Sequence, residues 1–442
     1  SAASDVYKRQ ARAYAGNGDH TTSFYAASAN IHTLRPTLTG NLTFDVCVIG
    51  AGFSGLSTAL HLAEQGHNVA VVEGARIGWG ASGRNGGQVV NGLNASLRTI
   101  NRRYGQDTAN FVAGLVMEGG EIIRERVKTY NIQCDYKPTN LFTACTDAHM
   151  RELEERLALW QGYGLNTQEM VSKNKISDHV GTDMYAGGMI DHSGGHMHPL
   201  NLALGEADAI EKNGGTIFEM SRVIDVDYEA ARPVVKTDTG SITCKTVVLC
   251  GNAYLGKVVP KLTSRVMPVS TQMMATEQLS DDLAKRLLPT DTCVEDIRYI
   301  LDYYRLSADN RLLFGGGTVY GGADPRDIEA KLRKNMNKVF PELVNTKIEH
   351  AWSGNFALSF SRVPQMGRLN NNTYFAHGYS GHGVTGSHTF GRILAEAISG
   401  DASRYDVFEK VPYIPFPGGR MFRVPYSVIG SWYYSFKDKF GI

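Results

Sequence analysis

A glycine-rich turn near residue 50, set between a buried strand and a helix, constrains the fold of this chain more than any other feature. Residues 44–49 form a short apolar, β-branched run, which is typical of a strand buried on both faces. The turn that follows consists of Gly50, Ala51, Gly52, Phe53, Ser54 and Gly55. Apolar residues then recur at helical spacing over 56–63, and a second apolar strand at 68–72 ends at Glu73. This order predicts a βαβ unit of a parallel sheet.

The spacing of these glycines and of Glu73 favours a dinucleotide as ligand. Gly50 permits a tight turn, Gly52 lets the backbone approach a pyrophosphate, and Gly55 lets the helix pack closely against the strand. The helix N-terminus offers N–H groups to phosphates, and a carboxylate about 20 residues further on accepts hydrogen bonds from a ribose. We therefore predict dinucleotide binding; glycine turns that serve packing alone are the alternative.

The pattern G-x-G-x-x-G occurs twice more and is weak evidence by itself. The match at 78–83 continues the loop that leaves Glu73, and the match at 381–386 follows an apolar strand at 373–377 and opens a helix. Only the first match has the strand, the helix, the second strand and the acid in order, so only the first is assigned to the pyrophosphate.

Charge and cysteine spacing exclude several classes of function. Lysine plus arginine (45) almost equals aspartate plus glutamate (44), which disfavours nucleic acid as a partner. The six cysteines have no paired spacing, so we expect neither disulfides nor a zinc ribbon, and a reducing cytoplasm fits best. Residues 1–40 lack the apolar segment of a secretory signal, and glycines interrupt the uncharged stretch 46–63, so we expect no integral membrane segment.

Two further sites are considered and disfavoured. Asp191 with His192, His196 and His198 has a spacing that permits zinc or iron, but Pro199 indicates a strand-to-helix junction there, so we predict no metal site. No serine completes the G-x-S-x-G motif of a hydrolase.

Several segments together resemble the glycine/D-amino-acid oxidase (DAO) family of FAD-dependent oxidoreductases. They are the turn 50–55 with Glu73, and the segments 76–88, 191–201, 250–256, 301–306, 378–385 and 416–420. The likeness runs from about residue 22 to the end of the chain. It implies an α/β fold in which a Rossmann-like FAD-binding domain is interleaved with an antiparallel-sheet substrate domain of the α+β type.

The resemblance implies FAD as the cofactor. The residues expected to bind it are Gly50, Ala51, Gly52, Phe53, Ser54, Gly55, Glu73, Gly74, Arg76, Ala81, Ser82, Arg84, Asn85, Gly86, Gly87, Gln88, Val223, Gly251, Asn252, Tyr254, Gly378, Gly381, His382, Gly383, Val384 and Thr385. Val223, in the strand after the glycine pair 214–215, matches the position on the adenine side. The helix that opens near Gly383 is expected to point its positive end at the flavin ring, an ordinary strand–helix connection being the alternative. For Arg84 a flavin-side cation and a loop salt bridge are equally open.

Covalent attachment of FAD is not expected. Some relatives attach the flavin to a cysteine close to the last glycine-rich segment, or to a histidine after the second strand. In this chain no cysteine follows Cys293, and no histidine lies between residues 68 and 149. We therefore predict non-covalent FAD.

The family chemistry is the oxidation of an amine. Hydride passes from the carbon that bears nitrogen to flavin N5, the imine hydrolyses to an aldehyde and ammonia, and O₂ reoxidises the flavin to give H₂O₂. Relatives that oxidise small amino acids carry a lysine where this chain has Thr385, and that lysine pairs with the carboxylate beside the amine. We therefore expect a terminal aliphatic amine. A dehydrogenase that passes electrons to a quinone or carrier, and a non-catalytic flavin-binding protein, are the alternatives.

His382, Tyr303 and Arg305 are the candidate catalytic residues on the substrate side. Glycine neighbours favour contact between His382 and the flavin, and Arg305 is the candidate partner for an acidic group at the far end of the amine. Aromatic residues are proposed to line a channel for the alkylamine, with core packing in a hairpin turning at 308–310 as the alternative. They are Trp79, Tyr303, Tyr304 and Trp352.

The flavin-binding segments are separated in the chain, so we expect two interleaved domains. The FAD-binding domain is expected at 44–95, 196–260 and 355–410, and the substrate domain at 96–195 and 261–354. Residues 1–43 are expected to be a partly disordered extension, and residues 411–442 a C-terminal tail that packs on the protein, with membrane contact as the alternative. The sequence predicts no oligomeric state.

Overall fold

The computed structural model describes residues 18–417 and 419–440. The strands are β1 Gly40–Thr43, β2 Val46–Ile49, β3 Val69–Val72, β4 Gln88–Val89, β5 Lys137–Ala144, β6 Gln168–Ser172, β7 Gly187–His196, β8 Thr216–Phe218, β9 Val223–Asp227, β10 Val234–Thr237, β11 Gly240–Thr243, β12 Thr246–Leu249, β13 Val266–Thr276, β14 Cys293–Asp296, β15 Asp302–Leu306, β16 Leu312–Tyr320, β17 Ile348–Ser359, β18 Gln365–Asn370 and β19 Thr373–His377. The helices are α1 Phe24–Ala27, α2 Phe53–Glu64, α3 Leu97–Tyr104, α4 Gln106–Leu115, α5 Glu118–Thr129, α6 Asp147–Gly162, α7 Pro199–Lys212, α8 Pro260–Thr263, α9 Asp281–Leu287, α10 Ile328–Val339, α11 Gly383–Ile398, α12 Ser403–Glu409 and α13 Gly419–Phe440.

A six-stranded sheet contains the predicted βαβ unit. Its order is β18-β19-β12-β2-β3-β8, and all pairs are parallel except β18 with β19. All four residues of β2 and of β3 are buried, as their apolar runs predict. The chain passes from β2 to β3 on one side, whereas β12 pairs with β2 on the other. This reversal opens a crevice at the carboxyl end of β2, where the glycine turn lies.

A nine-stranded mixed sheet faces that crevice. Its main order is β17-β13-β16-β15-β14-β5-β7-β4, and β6 pairs with β7. The sheet is antiparallel except between β14 and β5, which run parallel and so differ from the predicted antiparallel sheet. About 150 residues separate these two strands in the chain, enough for the long crossover that a parallel pair needs.

The described residues at the two ends of the chain form secondary structure. Within the predicted N-terminal extension, Tyr25 and Leu38 are fully buried and β1 pairs with β11 in a four-stranded sheet. Residues 1–17, on which part of the predicted disorder falls, lie outside the described residues. The C-terminal tail forms α13, where Arg423 donates a hydrogen bond to the Val266 carbonyl and Trp432 is 71% exposed.

No helix in the described ranges is long and apolar enough to cross a membrane.

Helices α2, α5, α7 and α11 are joined in the core by a buried charge network. Glu206 Oε1 of α7 accepts a hydrogen bond from Arg126 Nη1 of α5 at 2.6 Å and lies 2.9 Å from His388 Nε2 of α11. Arg126 Nη2 also donates to the Ser57 carbonyl of α2. Burial favours the neutral acid, but the charges of His388 and Arg126 outweigh it and lower the pKa of Glu206 to about 2. The network therefore fixes α2 and α11, the two helices that begin at the crevice.

Candidate cofactor and substrate site

A cavity of about 1420 Å³ lies between the carboxyl edge of the six-stranded sheet and one face of the nine-stranded sheet. Gly50, Glu73 and Cys250, at the ends of β2, β3 and β12, line one side. Thr271 and Tyr303, on β13 and β15, line the other. Ligands of doubly wound sheets bind at this edge, so this cavity is the candidate site.

The first glycine turn leaves no room for side chains beside it. Gly50 has φ +106°, and a Cβ on it would lie 3.0 Å from the Cys250 carbonyl oxygen. A Cβ on Gly55 would lie 1.9 Å from the Gly50 carbonyl oxygen, and one on Gly52 would lie 2.9 Å from Ser82 Oγ. Gly52 caps α2 without a side-chain hydrogen bond and lines the cavity. The turn therefore presents bare backbone and a helix N-terminus to the cavity, as pyrophosphate binding requires.

Glu73 stands at the end of β3 with its carboxylate held by backbone groups. Its Oε2 accepts from the Ala51 N–H at 2.7 Å and its Oε1 accepts from the Ala75 N–H at 2.9 Å. Burial raises the pKa of Glu73, and these hydrogen bonds partly offset the rise. An ionised carboxylate has about four lone-pair positions, so hydroxyl groups of a ribose still find acceptors there.

A second helix N-terminus opens into the same cavity, at the third glycine match. His382 precedes α11 without a side-chain cap, and the turn before it has positive φ at Gly378, Ser380 and Gly381. The Gly378 N–H donates to Asn252 Oδ1 at 3.0 Å, which ties this turn to the end of β12. Two helix N-termini thus direct their positive ends at one cavity, which fits a ligand with a pyrophosphate and an electron-rich ring.

His382 faces the cavity as a neutral imidazole. Burial, with the charge of Arg156 as a smaller cause, lowers the pKa of His382 to about 4. Its buried Nδ1 has no hydrogen-bond partner among the residues that the structure describes. An unpartnered polar atom at this place is consistent with a ligand that completes the site.

The loop between β3 and β4 is held by its own side chains. Asn85 Nδ2 donates to the Ser82 carbonyl at 2.8 Å, and Asn85 Oδ1 accepts from the Gly87 N–H at 2.8 Å. The Arg84 guanidinium stacks 4.4 Å from the centre of the Trp79 ring, and its Nε donates to the Trp79 carbonyl at 2.8 Å. The loop itself therefore fixes the orientation of Arg84 at the cavity wall.

Most of the predicted cofactor residues line this cavity. They are Gly50, Gly52, Phe53, Ser54, Glu73, Gly74, Ala81, Ser82, Arg84, Asn85, Gly86, Gln88, Val223, Gly251, Asn252, Tyr254, Gly381, His382, Gly383 and Val384. Val223 begins β9 rather than the strand directly after residues 214–215, which is β8.

The remaining predicted cofactor residues lie behind the wall and are absent from the lining. They are Ala51, Gly55, Arg76, Gly87, Gly378 and Thr385. Arg76 pairs with Glu219, and a Cβ on Gly87 would lie 2.2 Å from the Met197 carbonyl oxygen. Thr385 Oγ1 donates to the Val90 carbonyl at 2.7 Å, so this side chain points into the packing between elements. Their contribution is to hold the wall in shape.

Arg305 is not at the cavity, so its predicted role as partner of a substrate acid is wrong. The residue is 4% exposed, and its guanidinium donates to the carbonyls of Gly86, Met197 and Leu306 at 2.7 to 2.9 Å. The backbone carbonyls of residues 86 and 197 lie over the end of β15 and accept hydrogen bonds from Arg305. Arg305 therefore holds the loop at Gly86 rather than a ligand.

Two of the four predicted channel aromatics also lie elsewhere. Tyr304 points to the opposite face of β15, where it stacks on Phe314 with centroids 5.5 Å apart. Trp352 Nε1 donates to the Arg84 carbonyl at 2.9 Å and does not line the cavity. Trp79 and Tyr303 do line it, and Tyr303 Oη lies 3.1 Å from Thr271 Oγ1. Burial raises the pKa of Tyr303 to about 12, so the phenol is neutral.

The histidines near residue 195 are dispersed. His196 Nε2 lies 2.7 Å from the Asp291 carbonyl oxygen, and His198 Nε2 lies 3.1 Å from Ser28 Oγ. Pro199 begins α7, as predicted. Across the described residues there is no group of three histidine, cysteine, aspartate or glutamate side chains arranged for a metal.

Sequence reasoning missed the charged part of the cavity. Glu295 on β14 lines it, together with Arg103, Arg298, Tyr299 and Arg362. None of these residues belongs to a recognisable motif. Glu295 pairs with Tyr303 across β14 and β15, so it could have been found from Tyr303 once the register of the sheet was known.

A doubly wound sheet, two helix N-termini on one cavity and a second sheet closing over it define a dinucleotide-binding enzyme of the flavoprotein class. The chain belongs to the DAO family, described as FAD dependent oxidoreductase, which matches residues 45–397. FAD is thus the cofactor, and the bare glycine turn, Glu73 and the free Nδ1 of His382 fit it.

Curated relatives and solved structures agree with this family. The chain is 52% identical to the gamma-glutamylputrescine oxidoreductase of Escherichia coli (strain K12), over 96% of this chain and 100% of that protein. It is 41% identical to the probable oxidoreductase OrdL of Haemophilus influenzae, over 96% of this chain and 98% of that protein. The crystal structure of glycine oxidase from Geobacillus kaustophilus matches with a TM-score of 0.68 at 21% identity, over 81% of this chain and 95% of that chain. This last likeness shows the shared fold.

Proposed function

We propose that this protein oxidises the terminal amine of γ-glutamylputrescine or a closely similar alkylamine, with a role in putrescine catabolism. The products are an aldehyde, ammonia and, from O₂, H₂O₂. The observation that carries the proposal is 52% identity along the whole length of the E. coli gamma-glutamylputrescine oxidoreductase. A cavity of about 1420 Å³ between two sheets gives room for both a dinucleotide and an extended amine.

The chemistry that non-covalently bound FAD would supply is acceptance of the hydride from the carbon next to nitrogen. The residues of the chain orient the reactants. The N-terminus of α2 would hold the pyrophosphate and Glu73 the ribose, and the N-terminus of α11 would stabilise negative charge on the ring. Neutral His382 and neutral Tyr303 then offer a hydrogen-bonding and aromatic surface to the amine without a competing positive charge.

An amine of this kind carries no carboxylate beside the reacting nitrogen. Thr385, where relatives acting on small amino acids carry lysine, is buried against Val90 and provides no cation. Trp79, stacked on Arg84, and Tyr303 offer apolar surface to an alkyl chain. These features support an aliphatic amine over glycine or sarcosine.

The test is steady-state turnover with a panel of amines, recording O₂ consumption, H₂O₂ and ammonia. We expect γ-glutamylputrescine to have the highest kcat/KM, and glycine and sarcosine to be poor substrates. Equal amounts of O₂ consumed and ammonia released support an oxidase. Turnover only with an added quinone dye would support the dehydrogenase instead, and no turnover with any amine would contradict the proposal.

A further inference from the structure

The carboxylate of Glu295 lies on the sheet side of the cavity, and Glu295 is not among the residues expected to bind the cofactor. Glu295 is the third residue of β14 and lies opposite Tyr303 of β15 in an antiparallel pair, so both side chains point to the same face. Both residues line the cavity. The Tyr303 ring lies 2.8 Å from the position that a Cβ on Gly86 would take, which places this face beside the cofactor loop.

The surroundings of Glu295 leave its carboxylate available for a cation. Arg156 of α6 acts on it through charge, and its guanidinium lies 4.1 Å from the ring centre of Phe142, the β5 residue paired with Glu295. The neighbouring Asp296 is held by Arg298. Burial, supported by the charge of Asp296 and opposed by that of Arg156, raises the pKa of Glu295 to about 7. The other titratable groups that face it are Tyr303 and Cys293, both of which stay neutral because burial raises their pKa.

Two guanidinium groups, those of Arg103 and Arg362, also line this cavity. Arg103 Nη1 donates to the Ser361 carbonyl at 3.1 Å, and Arg362 Nη2 lies 3.5 Å from Tyr299 Oη. Within the part of the chain that the structure describes, their hydrogen bonds go to a carbonyl and a phenol rather than to a carboxylate. Arg362 has φ +65°, a strained conformation for arginine of the kind that concentrates at functional sites.

We propose that Glu295 binds the reacting ammonium of the substrate and takes its proton, and that Arg103 and Arg362 bind the carboxylate at the other end of the same molecule. The cavity is thus bipolar and selects an amine that carries an acidic group at its far end. This inference rests on the proposed function and names the residues that recognise its substrate.

The proton transfer makes the amine reactive. An N–H bond of the ammonium breaks, the proton passes to a carboxylate oxygen of Glu295, and the electron pair stays on nitrogen. That pair forms the C=N bond as hydride leaves the adjacent carbon for the cofactor. Water then adds to the carbon of the resulting iminium ion, the C–N bond breaks to give the aldehyde and an ammonium ion, and Glu295 returns its proton to solvent. A base whose pKa lies near the working pH is the most effective for such a transfer.

The first test measures binding without turnover. Glu295→Gln is compared with the native holoenzyme and with Glu169→Gln, an exposed acid on β6 of the same sheet, as the matched control. The probe is tert-butylamine, which has no hydrogen on the carbon beside nitrogen and so is not oxidised. Its affinity at pH 8 is read from the perturbation of the flavin absorption band. We expect Glu295→Gln to weaken binding at least tenfold and Glu169→Gln to leave it unchanged.

The pH dependence of amine binding shows whether Glu295 acts through its charge or only through the space that its side chain fills. In the native enzyme the carboxylate is protonated below about pH 7, so binding of the ammonium should fall as pH drops through that value. In Glu295→Gln this dependence should be absent. The kcat/KM of the variant should instead follow the supply of neutral amine and rise up to about pH 10, near the pKa of a free alkylamine.

The proposed binding of the substrate carboxylate by Arg103 and Arg362 is tested with two substrates that share the same four-carbon amine chain. Arg362→Met should raise the KM for γ-glutamylputrescine at least tenfold and leave that for N-acetylputrescine, which lacks the carboxylate, unchanged. The inference is overturned if Glu295→Gln binds tert-butylamine as tightly as the native enzyme, or if both substrates respond equally to Arg362→Met. A native enzyme that oxidises no amine would refute the proposed function, whereas the binding titration would still report on Glu295.

Discussion

A methyl group added at Gly55 should lower the free energy of unfolding, because its steric clash outweighs the better helix propensity of alanine. Gly55 lies in the first turn of α2, and alanine is favoured over glycine inside a helix by about 0.5–1 kcal/mol. The added Cβ would lie 1.9 Å from the Gly50 carbonyl oxygen, and real Cβ atoms stay beyond 3.0 Å. The turn must therefore move by about 1 Å, and overpacking of this kind costs about 1–3 kcal/mol.

The same movement displaces the backbone that receives the pyrophosphate. We expect Gly55→Ala to lower the free energy of unfolding by about 1–2 kcal/mol and to weaken FAD binding at least tenfold, which corresponds to about 1.4 kcal/mol. Gly114→Ala is the matched control, because Gly114 is an exposed helical glycine of α4 whose Cβ would meet nothing within 4 Å. That variant should gain about 0.5–1 kcal/mol.

Urea unfolding of the apoprotein measures the first effect, and recovery of flavin fluorescence on dilution measures the second. If Gly55→Ala unfolds at the same urea concentration as Gly114→Ala and keeps native FAD affinity, the close packing of helix and turn does not carry the binding. The reasoning from the glycine spacing would then be refuted.

Three other perturbations test the buried charge network, the loop at Gly86 and the attachment of FAD. Glu206→Gln should lower the free energy of unfolding by about 3 kcal/mol, because the Arg126 guanidinium stays buried without its carboxylate. Since the pKa of Glu206 is lowered from 4.5 to about 2, its contribution is present above pH 4.5 and is lost as pH falls toward 2, a loss that urea titrations should find in the native protein only. Arg305→Met should weaken FAD binding by freeing the Gly86 carbonyl, while the ratio of KM values for γ-glutamylputrescine and N-acetylputrescine stays constant; a changed ratio would return Arg305 to the substrate site. Acid precipitation should release the yellow colour into solution, and colour retained in the pellet would contradict non-covalent FAD.

The parts of the fold that the sequence predicts are those with local causes. The strands β2 and β3, the glycine turn and α2 follow from hydrophobic period and turn chemistry within about thirty residues. The start of α7 at Pro199 and the hairpin of β15 and β16 around residues 308–310 have equally local signals and are confirmed. The helix N-terminus at Gly383 also lies where the third glycine match predicts it.

The site residues that were predicted wrongly or missed are those whose burial or exposure depends on segments far away in the chain. Tyr303 and Arg305 point to the same face of β15, yet residues 86 and 197 bury Arg305 and leave Tyr303 at the cavity. Glu295 was missed because its importance arises only when β14 is placed between β5 and β15. The strand β1 depends likewise on a parallel partner, β11, about 200 residues away.

Anaerobic mixing of the purified holoenzyme with γ-glutamylputrescine shows whether this cavity oxidises an amine. We predict that the long-wavelength flavin band bleaches with one equivalent of amine per flavin and returns when air is admitted. A flavin band that stays unchanged with γ-glutamylputrescine and with every other amine in the panel would contradict the assignment of this cavity to amine oxidation.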